Sequence, residues 1–396
     1  MDSGSFHHLR GERNMDQQNR RHAAWAVGGL LAATATFGAW SWSQQPTQPP
    51  AVAVVTAAPN QTTPAGLLNY SAPNNYPDQS WLPYAINSVW NSPIGSNFKV
   101  DPNSAKYQAF YTSSFPSFSD TGFGLTNENQ DFDHPMYFGR ANDPTYSVKC
   151  LASWASCDFG SKQFHIPGFA LPAGGSDAHL AVLEETDNME LDCWGTQKLS
   201  GNGGPITAQS CGYGPITGPG LVFGQTGAGF ALGAGVMRDQ EFVGGNITHA
   251  LFIVAPCTAN NSVFPSNFRT TDTQCAGNQG APYGERFRLN LSDQAIAKLP
   301  APTWKKPIYY ALSRYGGYIG DTNGNYAMGI QFESDEMYKS AGYTNKMCPT
   351  NGAPCTPLTA YMNSIGNPGW NGSSYVINLS EVNWAKYGQW LMPPAH

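Results

Sequence analysis

The sequence predicts an all-β-dominated protein, a β-sandwich or jelly roll with a few short peripheral helices. From about residue 66 onward, short apolar runs alternate with clusters of Gly, Pro, Asn and Asp, a spacing typical of short strands joined by turns. Only 12% of the residues are charged, against about 25% in a typical soluble domain, while Gly (43) and Pro (30) are abundant. We therefore predict a single β-sandwich domain over residues 66–396.

Six segments of this domain are predicted strands because apolar residues are bounded by turn residues. They are residues 136–138, 180–185, 189–194, 220–223, 249–254 and 286–289. Two helices are predicted beside them. Residues 292–299 begin with the N-cap candidate Ser292, and residues 304–315 carry an apolar stripe with Pro307 in the first turn.

The first 65 residues predict export. Residues 1–22 form a polar, basic leader, and residues 23–42 contain no charge and read as a signal-peptide h-region or an N-terminal anchor. Residues 43–65 are a Pro-, Gln- and Thr-rich linker. We expect a secreted, periplasmic or cell-surface protein that touches a membrane only through its N-terminal segment, if that segment is not cleaved.

Eight cysteines follow the export segment, and the simplest connectivity joins neighbours into four disulfides. The predicted pairs are Cys150 with Cys157, Cys193 with Cys211, Cys257 with Cys275, and Cys348 with Cys355. Structural zinc is the competing interpretation, but the sequence has no Cys-x-x-Cys spacing. We expect no cofactor and no metal.

Most of the predicted chemistry lies on one hairpin, residues 177–194. With a turn centred on Asp187-Asn188, residue 185 faces 190 and residue 183 faces 192, so alternate side chains share one face of the sheet. The side chains on this face are Asp177, His179, Glu185, Glu190, Asp192 and Trp194. Acids, an imidazole and an indole on one sheet face are typical of a sugar-binding or catalytic cleft.

The predicted catalytic centre is Asp177, His179 and Asp192, with His249 and Arg238 nearby. Glycoside hydrolysis needs two carboxyl groups, one as proton donor and one as nucleophile or base, and Asp192 with a second carboxylate would supply them. A polysaccharide lyase instead needs a base such as His179 and a group such as Arg238 to neutralise a uronate. The alternatives are structural: a buried His179 bonded to Asp177, and His249 as a strand-edge histidine. Two histidines with an acid also leave a metal-dependent hydrolase open.

Predicted substrate-binding residues surround this centre. Trp194 offers a flat apolar face on which sugar rings can stack, and Glu190, Glu241 and Arg314 offer polar contacts. Each has an alternative: solvation beside the turn for Glu190, an ion pair with Arg238 for Glu241, and a structural pairing for Arg314.

Several functions are disfavoured by the sequence. The net charge is −6 and basic residues are not clustered, which argues against nucleic acid as a partner. The glycine-rich stretch 212–235 lacks the strand–loop–helix context of a nucleotide site. There is also no Gly-x-Ser-x-Gly elbow of a serine hydrolase.

Residues 177–324 carry a set of motifs that are specific together and weak singly. They are Asp177-Ala-His179, Asp192-Cys-Trp194, Gly235-Val-Met-Arg238-Asp-Gln-Glu241, Gly245-Asn-Ile-Thr-His249-Ala-Leu251, Gly284-Glu-Arg286-Phe-Arg288-Leu289, Ala311-Leu-Ser-Arg314-Tyr-Gly316 and Asp321-Thr-Asn-Gly324. The chain thereby resembles a family of secreted bacterial proteins of unassigned function. The resemblance implies a β-sandwich or jelly-roll domain near carbohydrate-active proteins, without an assigned reaction. At the hairpin acid the family pattern has Glu, where this chain has Asp192.

Taken together, these observations predict an exported enzyme that cleaves a polysaccharide, as a glycoside hydrolase or a polysaccharide lyase, in a cleft on a β-sandwich face. The alternative is a non-catalytic carbohydrate-binding or cell-envelope surface protein. Either function implies a polysaccharide or cell-surface glycan as the partner. The two differ in geometry: an enzyme needs its acids and His179 converging in an open cleft, whereas a binding domain leaves them internally paired.

Overall fold

The computed structural model describes residues 76–128, 132–153, 155, 157, 159–184, 186–221, 224–266, 273–324, 327–366 and 374–393. All of them belong to one compact unit, residues 50–396. The predicted leader, signal segment or anchor, and linker lie outside the described residues, and so does Glu185. Among the described residues, no helix has the length and apolar character needed to cross a membrane.

Short strands dominate the described residues. The strands are β1 (Gly124–Glu128), β2 (Met136–Gly139), β3 (Thr145–Cys150), β4 (Phe164–His165), β5 (Leu180–Glu184), β6 (Met189–Trp194), β7 (Gly204–Ala208), β8 (Ser210–Pro215), β9 (Leu251–Ala255), β10 (Arg286–Leu289), β11 (Gly317–Thr322), β12 (Gly329–Ile330), β13 (Ser374–Asn378) and β14 (Gly388–Leu391).

The helices are short. They are α1 (Ser104–Ser114), α2 (Pro116–Thr121), α3 (Asp239–Gly244), α4 (Asp293–Ala297), α5 (Lys306–Arg314), α6 (Glu336–Ser340), α7 (Pro357–Ser364) and α8 (Trp384–Tyr387), with 3₁₀ turns at Ala276–Asn278 and Thr303–Lys305.

The strands form three sheets. A seven-stranded sheet has the order β13-β1-β12-β9-β11-β10-β14, a four-stranded sheet the order β2-β5-β6-β8, and a three-stranded sheet the order β4-β3-β7. All three are mixed, because β9 with β11, β2 with β5, and β3 with β7 run parallel. The prediction of many strands with few short helices is confirmed, and the sandwich or jelly roll stays a finer prediction.

Aromatic residues fill the core around the seven-stranded sheet. Trp90, Trp384 and Trp390 are almost fully buried. The ring of Trp90 meets Phe230 edge-on, with the ring centroids 5.0 Å apart. Such edge contacts are a preferred geometry for paired aromatic rings, and they allow large side chains to pack closely around short strands.

A second core lies between the four-stranded and three-stranded sheets. Phe164 of β4 contacts Tyr213 of β8, with ring centroids 5.5 Å apart. The side chains of Leu191 and Val182 are fully buried in the same cluster. One face of the four-stranded sheet is therefore apolar, and the polar residues of the predicted site lie on the opposite face.

Both predicted helices are present. Helix α4 starts at the predicted N-cap, where the hydroxyl of Ser292 accepts a hydrogen bond from the backbone N–H of Ala295 at 3.2 Å. Helix α5 has Pro307 in its first turn and buries Ile308, Ala311 and Leu312. These are positions of the predicted stripe.

The eight cysteines form the four predicted disulfides, between Cys150 and Cys157, Cys193 and Cys211, Cys257 and Cys275, and Cys348 and Cys355. Disulfides persist mainly in oxidising compartments. The pairing therefore indicates an extracellular or periplasmic environment, in agreement with the predicted export.

Candidate functional site

Strands β5 and β6 form the predicted hairpin with a register two residues away from the predicted one. Asp192 lies opposite Ala181 and Glu190 opposite Leu183, and the last pair is Glu184 with Met189. Residues 185–188 therefore connect the two strands, in place of a two-residue turn, and Asn188 at the end of this connection adopts a left-handed conformation, with φ of 56°. A shift of two residues keeps every side chain on its face, so Glu190, Asp192 and Trp194 still share one side of β6.

His134, two residues before β2, lies beside His179. Met136 of β2 pairs with Ala181 of β5 in parallel, which places His134 and His179 next to each other two residues earlier. Their rings meet edge-on with centroids 4.8 Å apart. Both histidines are buried. His179 is thus a buried histidine, as in the structural alternative, and its neighbours are the imidazole of His134 as well as Asp177.

Glu190 and Asp192 form a fully buried carboxyl pair covered by the chain at residues 232–233. The backbone N–H of Leu232 donates to Asp192 Oδ2 at 2.9 Å, and the N–H of Gly233 donates to Glu190 Oε1 at 3.0 Å. The hydroxyl of Tyr84 donates to Glu190 Oε2 at 2.6 Å. A Cβ on Gly233 would lie 2.9 Å from Glu190 Oε1 and 3.1 Å from the hydroxyl of Tyr84, so a side chain at this position would crowd the bonded pair.

The two carboxyl groups differ in proton affinity. Burial, and then the charge of Glu190, raise the pKa of Asp192 well above its usual value. Burial also raises the pKa of Glu190, but the bonds from Tyr84 and Gly233 and from Asp192 itself offset part of that rise. Burial therefore favours the neutral form of Asp192 more strongly than that of Glu190.

The paired histidines are held neutral. Burial, and then the neighbouring His179, lower the pKa of His134 well below its usual value. Burial lowers the pKa of His179, and the charge of Asp177 offsets this only in part. His134 Nδ1 lies 2.7 Å from the carbonyl oxygen of Leu232 and donates to it in the neutral ring. Leu232 thus links the histidine pair to Asp192.

Asp177 and Trp194 are the accessible members of the predicted site. The indole N–H of Trp194 donates to Asp177 Oδ1 at 3.0 Å, and both residues are partly exposed. Trp194 ends β6, and the backbone N–H of the following Gly195 donates to the carbonyl of Asp177. These two bonds fix the orientation of the indole at one end of the four-stranded sheet.

Arg238, Glu241 and His249 form a separate, internal ion network. Arg238 Nη2 lies 3.1 Å from Glu241 Oε1, and His249 Nε2 lies 3.1 Å from Glu241 Oε2. Burial alone would raise the pKa of Glu241, but the charges of Arg238 and His249 have the larger combined effect and lower it. Burial alone would lower the pKa of His249, but the charge and hydrogen bond of Glu241 have the larger effect and raise it.

The same arginine ties the start of the described chain to helix α3. Its guanidinium donates to the carbonyl oxygens of Pro77, Asp78 and Trp81 at 3.2, 3.1 and 2.6 Å. Together with Glu241, these carbonyl oxygens accept hydrogen bonds from the planar guanidinium of Arg238. The predicted alternative, an ion pair with Glu241 that shapes the loop, describes this geometry.

A small cavity lies between the carboxyl pair and the ion network. Its lining includes Tyr84, Gly233, Arg238, Glu241 and His249, and its volume is about 10 Å³. This is room for about one water molecule. No sugar ring fits there, and the acids do not face an open cleft at this point.

The remaining predicted residues lie apart from the hairpin. Arg314 forms an exposed two-point salt bridge with Asp293, with distances of 3.2 and 2.7 Å, rather than a pairing with Asp321. Asp321 accepts a hydrogen bond from the backbone N–H of Gly227 at 2.9 Å. Within the described ranges, no set of histidine and carboxylate ligands contains both His179 and His249.

A second group of buried acids was not predicted from the sequence. Burial, and then Asp239, raise the pKa of Glu333 to about 8. The pKa of Asp239 rises to about 7 through burial, and that of Asp335 to about 7 for the same reason. Glu333 Oε1 accepts from the backbone N–H of Asp239 at 2.6 Å and from the hydroxyl of Tyr338. The signal in the sequence is the acidic run 333–336 directly after the apolar residues 328–332.

Comparison with known proteins adds no name to this geometry. No family model, no curated protein and no solved structure matches the chain.

Proposed function

We propose that this protein is an exported, disulfide-linked, non-catalytic domain that binds a polysaccharide or cell-surface glycan. In this proposal the three mixed sheets belong to a sandwich-like or jelly-roll scaffold, as the sequence resemblance implies. The glycan lies across the end of the four-stranded sheet that carries Trp194.

One observation carries the proposal: Glu190, Asp192 and His179 are buried, whereas Asp177 and Trp194 are partly exposed. Glu190, Asp192 and His179 are buried at 0%, 0% and 3% exposure. A polysaccharide cannot reach an acid that is covered by backbone and bonded to its neighbours. The indole of Trp194, by contrast, is partly exposed and already oriented by Asp177.

The Trp194 end of the sheet suits a sugar ring for physical reasons. An indole face is flat and apolar, and a fixed orientation reduces the entropy lost on binding. Asp177 beside it is a partly exposed hydrogen-bond acceptor for sugar hydroxyls. Phe132, two residues before His134, adds an aromatic ring that is 49% exposed at the same end of the sheet. Strands β2 and β6 are separated by β5 and therefore lie about 10 Å apart, which is two strand spacings.

The second candidate is cleavage of a polysaccharide, and one specific observation favours it. The Glu190–Asp192 pair contains a carboxyl whose pKa is raised well above its usual value, and enzymes that hydrolyse glycosides use an acid with a raised pKa. Glycosidase carboxyls have room between them for the substrate. The pair here is fully buried and covered by residues 232–233, so cleavage requires that cover to move.

The test is a retention and product assay on the full chain. Wild-type protein is incubated with insoluble and soluble neutral and uronate polysaccharides, and bound protein, reducing ends and unsaturated-uronate absorbance are measured together. We expect retention without products, weakened about tenfold or more by Trp194→Ala. Phe98→Ala removes an exposed ring from the β14 edge of the seven-stranded sheet and serves as the matched control. Product release by the wild type overturns the binding proposal in favour of cleavage.

A further inference from the structure

Two of the four disulfides lie against each other. The Sγ atoms of Cys150, Cys157 and Cys211 are all within 4.8 Å of one another, and this is the one such group of ligand-type atoms among the described residues. Cys150 is bonded to Cys157, and Cys211 is bonded to Cys193. A sulfur of one disulfide therefore faces a sulfur of the other.

The strand order brings these sulfurs together. Strand β3 ends at Cys150, which pairs in parallel with Ala208 at the end of β7. Only Gln209 separates β7 from β8, and Cys211 is the second residue of β8. The backbone N–H groups of Leu151 and Ala152 donate to the carbonyls of Ala208 and Gln209 at 2.9 and 3.1 Å, which holds the chain after Cys150 on this turn.

The two disulfides differ in access. Cys150 and Cys157 are partly exposed. Cys193 and Cys211 are 0% and 4% exposed, directly opposite each other on β6 and β8. A small thiol in solution can reach the first pair, whereas the second pair is shielded by the sheet. Any reaction of the second pair must therefore pass through the first.

The position of Cys157 favours its thiolate. The backbone N–H of Cys211 donates to Cys157 Sγ at 3.2 Å, because β8 is the edge strand of its sheet and has N–H groups to spare on that side. A hydrogen bond to a charged form stabilises that form, and a stabilised thiolate is the better leaving group in disulfide exchange. The carbonyl oxygen of Cys211, 3.4 Å away, can accept from the neutral thiol.

We propose that these two disulfides form a thiol–disulfide exchange site that takes low-molecular-weight thiols as substrates. The thiolate of the small molecule attacks Cys150 Sγ, forms a mixed disulfide there and releases Cys157 as a thiolate. Cys157 then attacks Cys211 Sγ. The Cys157–Cys211 bond forms as the Cys193–Cys211 bond breaks, and the electron pair leaves on Cys193, which takes a proton from water. The second step exchanges one disulfide for another and needs no further reductant.

The first test uses wild-type full-length protein. It is treated with limiting glutathione in the presence of a chelator, quenched in acid, trapped with N-ethylmaleimide in denaturant, and mapped by mass spectrometry. We expect a Cys157–Cys211 linked peptide together with alkylated Cys193. Cys257 and Cys275 form the internal control, because they have the same separation of 18 residues and similar burial, and they stay linked. Alkylation of Cys157 alone, with Cys193 still bonded to Cys211, overturns the proposal.

A pair of variants gives an independent test without added thiol. Cys150→Ser leaves Cys157 unpaired beside Cys211, and we expect the free thiol to move to Cys193. Cys348→Ser is the matched control, since its disulfide has the same separation of 7 residues and, in the described ranges, no third cysteine sulfur within the same distance. In that variant the free thiol stays on Cys355. A free thiol that stays on Cys157 contradicts the exchange, and if Cys150→Ser does not fold, the wild-type experiment decides.

Discussion

Glu190 and Asp192, two residues apart on the same face of β6, each accept a hydrogen bond from the chain that covers them: the N–H of Gly233 donates to Glu190 Oε1 at 3.0 Å and the N–H of Leu232 to Asp192 Oδ2 at 2.9 Å. A carboxyl pair at the centre of a predicted active site thus lies buried beneath the chain at residues 232–233. The pair contributes to the specific seating of that chain segment on the sheet, since both backbone N–H groups of the segment end on these acids.

The two acids should respond differently to amide substitution. Asp192→Asn replaces a carboxyl whose pKa is raised well above its usual value by a neutral amide and keeps an acceptor for Leu232, so we expect a loss of free energy of unfolding below about 1 kcal/mol. Glu190→Gln replaces a carboxylate whose two oxygens accept from Tyr84 and Gly233 by a group that must place an N–H against one of these donors, which costs about 1–3 kcal/mol. Urea unfolding of both variants measures this. Equal losses, or a larger loss for Asp192→Asn, would contradict the stronger preference of Asp192 for its neutral form.

The second acid group predicts a loss of stability as the pH rises. In the unfolded chain these carboxyls titrate near 4, whereas the pKa of Glu333 is about 8 and those of Asp239 and Asp335 are about 7 in the fold. Between these values the fold retains protons that the unfolded chain has released. The free energy of unfolding should therefore fall from about pH 4 to about pH 8, by at most about 1.4 kcal/mol per pH unit for each group.

The variant that isolates this effect is Glu333→Gln, which removes one titrating group and should make the decline shallower. Asp293→Asn, at an exposed surface carboxyl, is the matched control and should leave the slope as in the wild type. The measurement is a series of urea unfolding curves across this pH range. Parallel slopes for Glu333→Gln and the wild type would contradict the assignment.

The histidines should separate into two classes. His249 is charged beside Glu241 and has a raised pKa, whereas His134 and His179 face each other in a buried site and have lowered pKa values. Nitrogen NMR of the imidazole rings should therefore find His249 still protonated above pH 6.5, and His134 and His179 still neutral below that pH. A protonated His134 or His179 at pH 6.5 would be incompatible with this arrangement.

Buried and exposed ion pairs should differ in their contribution to stability. Glu241→Gln leaves the charge of Arg238 buried with its carboxylate partner gone, and we expect a loss of about 3–5 kcal/mol in the free energy of unfolding. Asp293→Asn breaks the exposed pair with Arg314 and should cost less than about 1 kcal/mol. Thermal or urea unfolding compares them directly. A small loss for Glu241→Gln would mean that the Arg238 network does not anchor the chain at residues 77–81.

The sequence predicts the face of each hairpin residue correctly but not the register of the hairpin. Alternation along 180–184 and 189–194 predicts the correct face, because face depends only on odd or even position. The register is wrong by two residues, because pairing ends at Glu184 and Met189 and the connection has four residues where the sequence predicts a two-residue turn. Helix α1 was missed because its apolar residues are spread around its circumference instead of forming a stripe.

The site was less predictable than the fold for a related reason. The residues that decide its chemistry come from distant segments: Tyr84, Leu232 and Gly233 bond the two acids, and His134 stands beside His179. No spacing in the sequence indicates that residues 232–233 cover the acids. The exposure of a polar residue depends on such long-range packing, so an acid on the correct sheet face can lie in a cleft or in the core.

The most direct test of glycan binding without cleavage compares Asp192→Asn with Trp194→Ala on a polysaccharide that retains the wild type. Asp192→Asn removes the acid that a hydrolase at this pair would need and is expected to cost little stability, and Trp194→Ala removes the aromatic face together with its hydrogen bond to Asp177. We predict that the wild type and Asp192→Asn bind equally and release no products, and that Trp194→Ala loses retention. Product release by the wild type that disappears in Asp192→Asn would contradict this account and establish the buried pair as a catalytic centre.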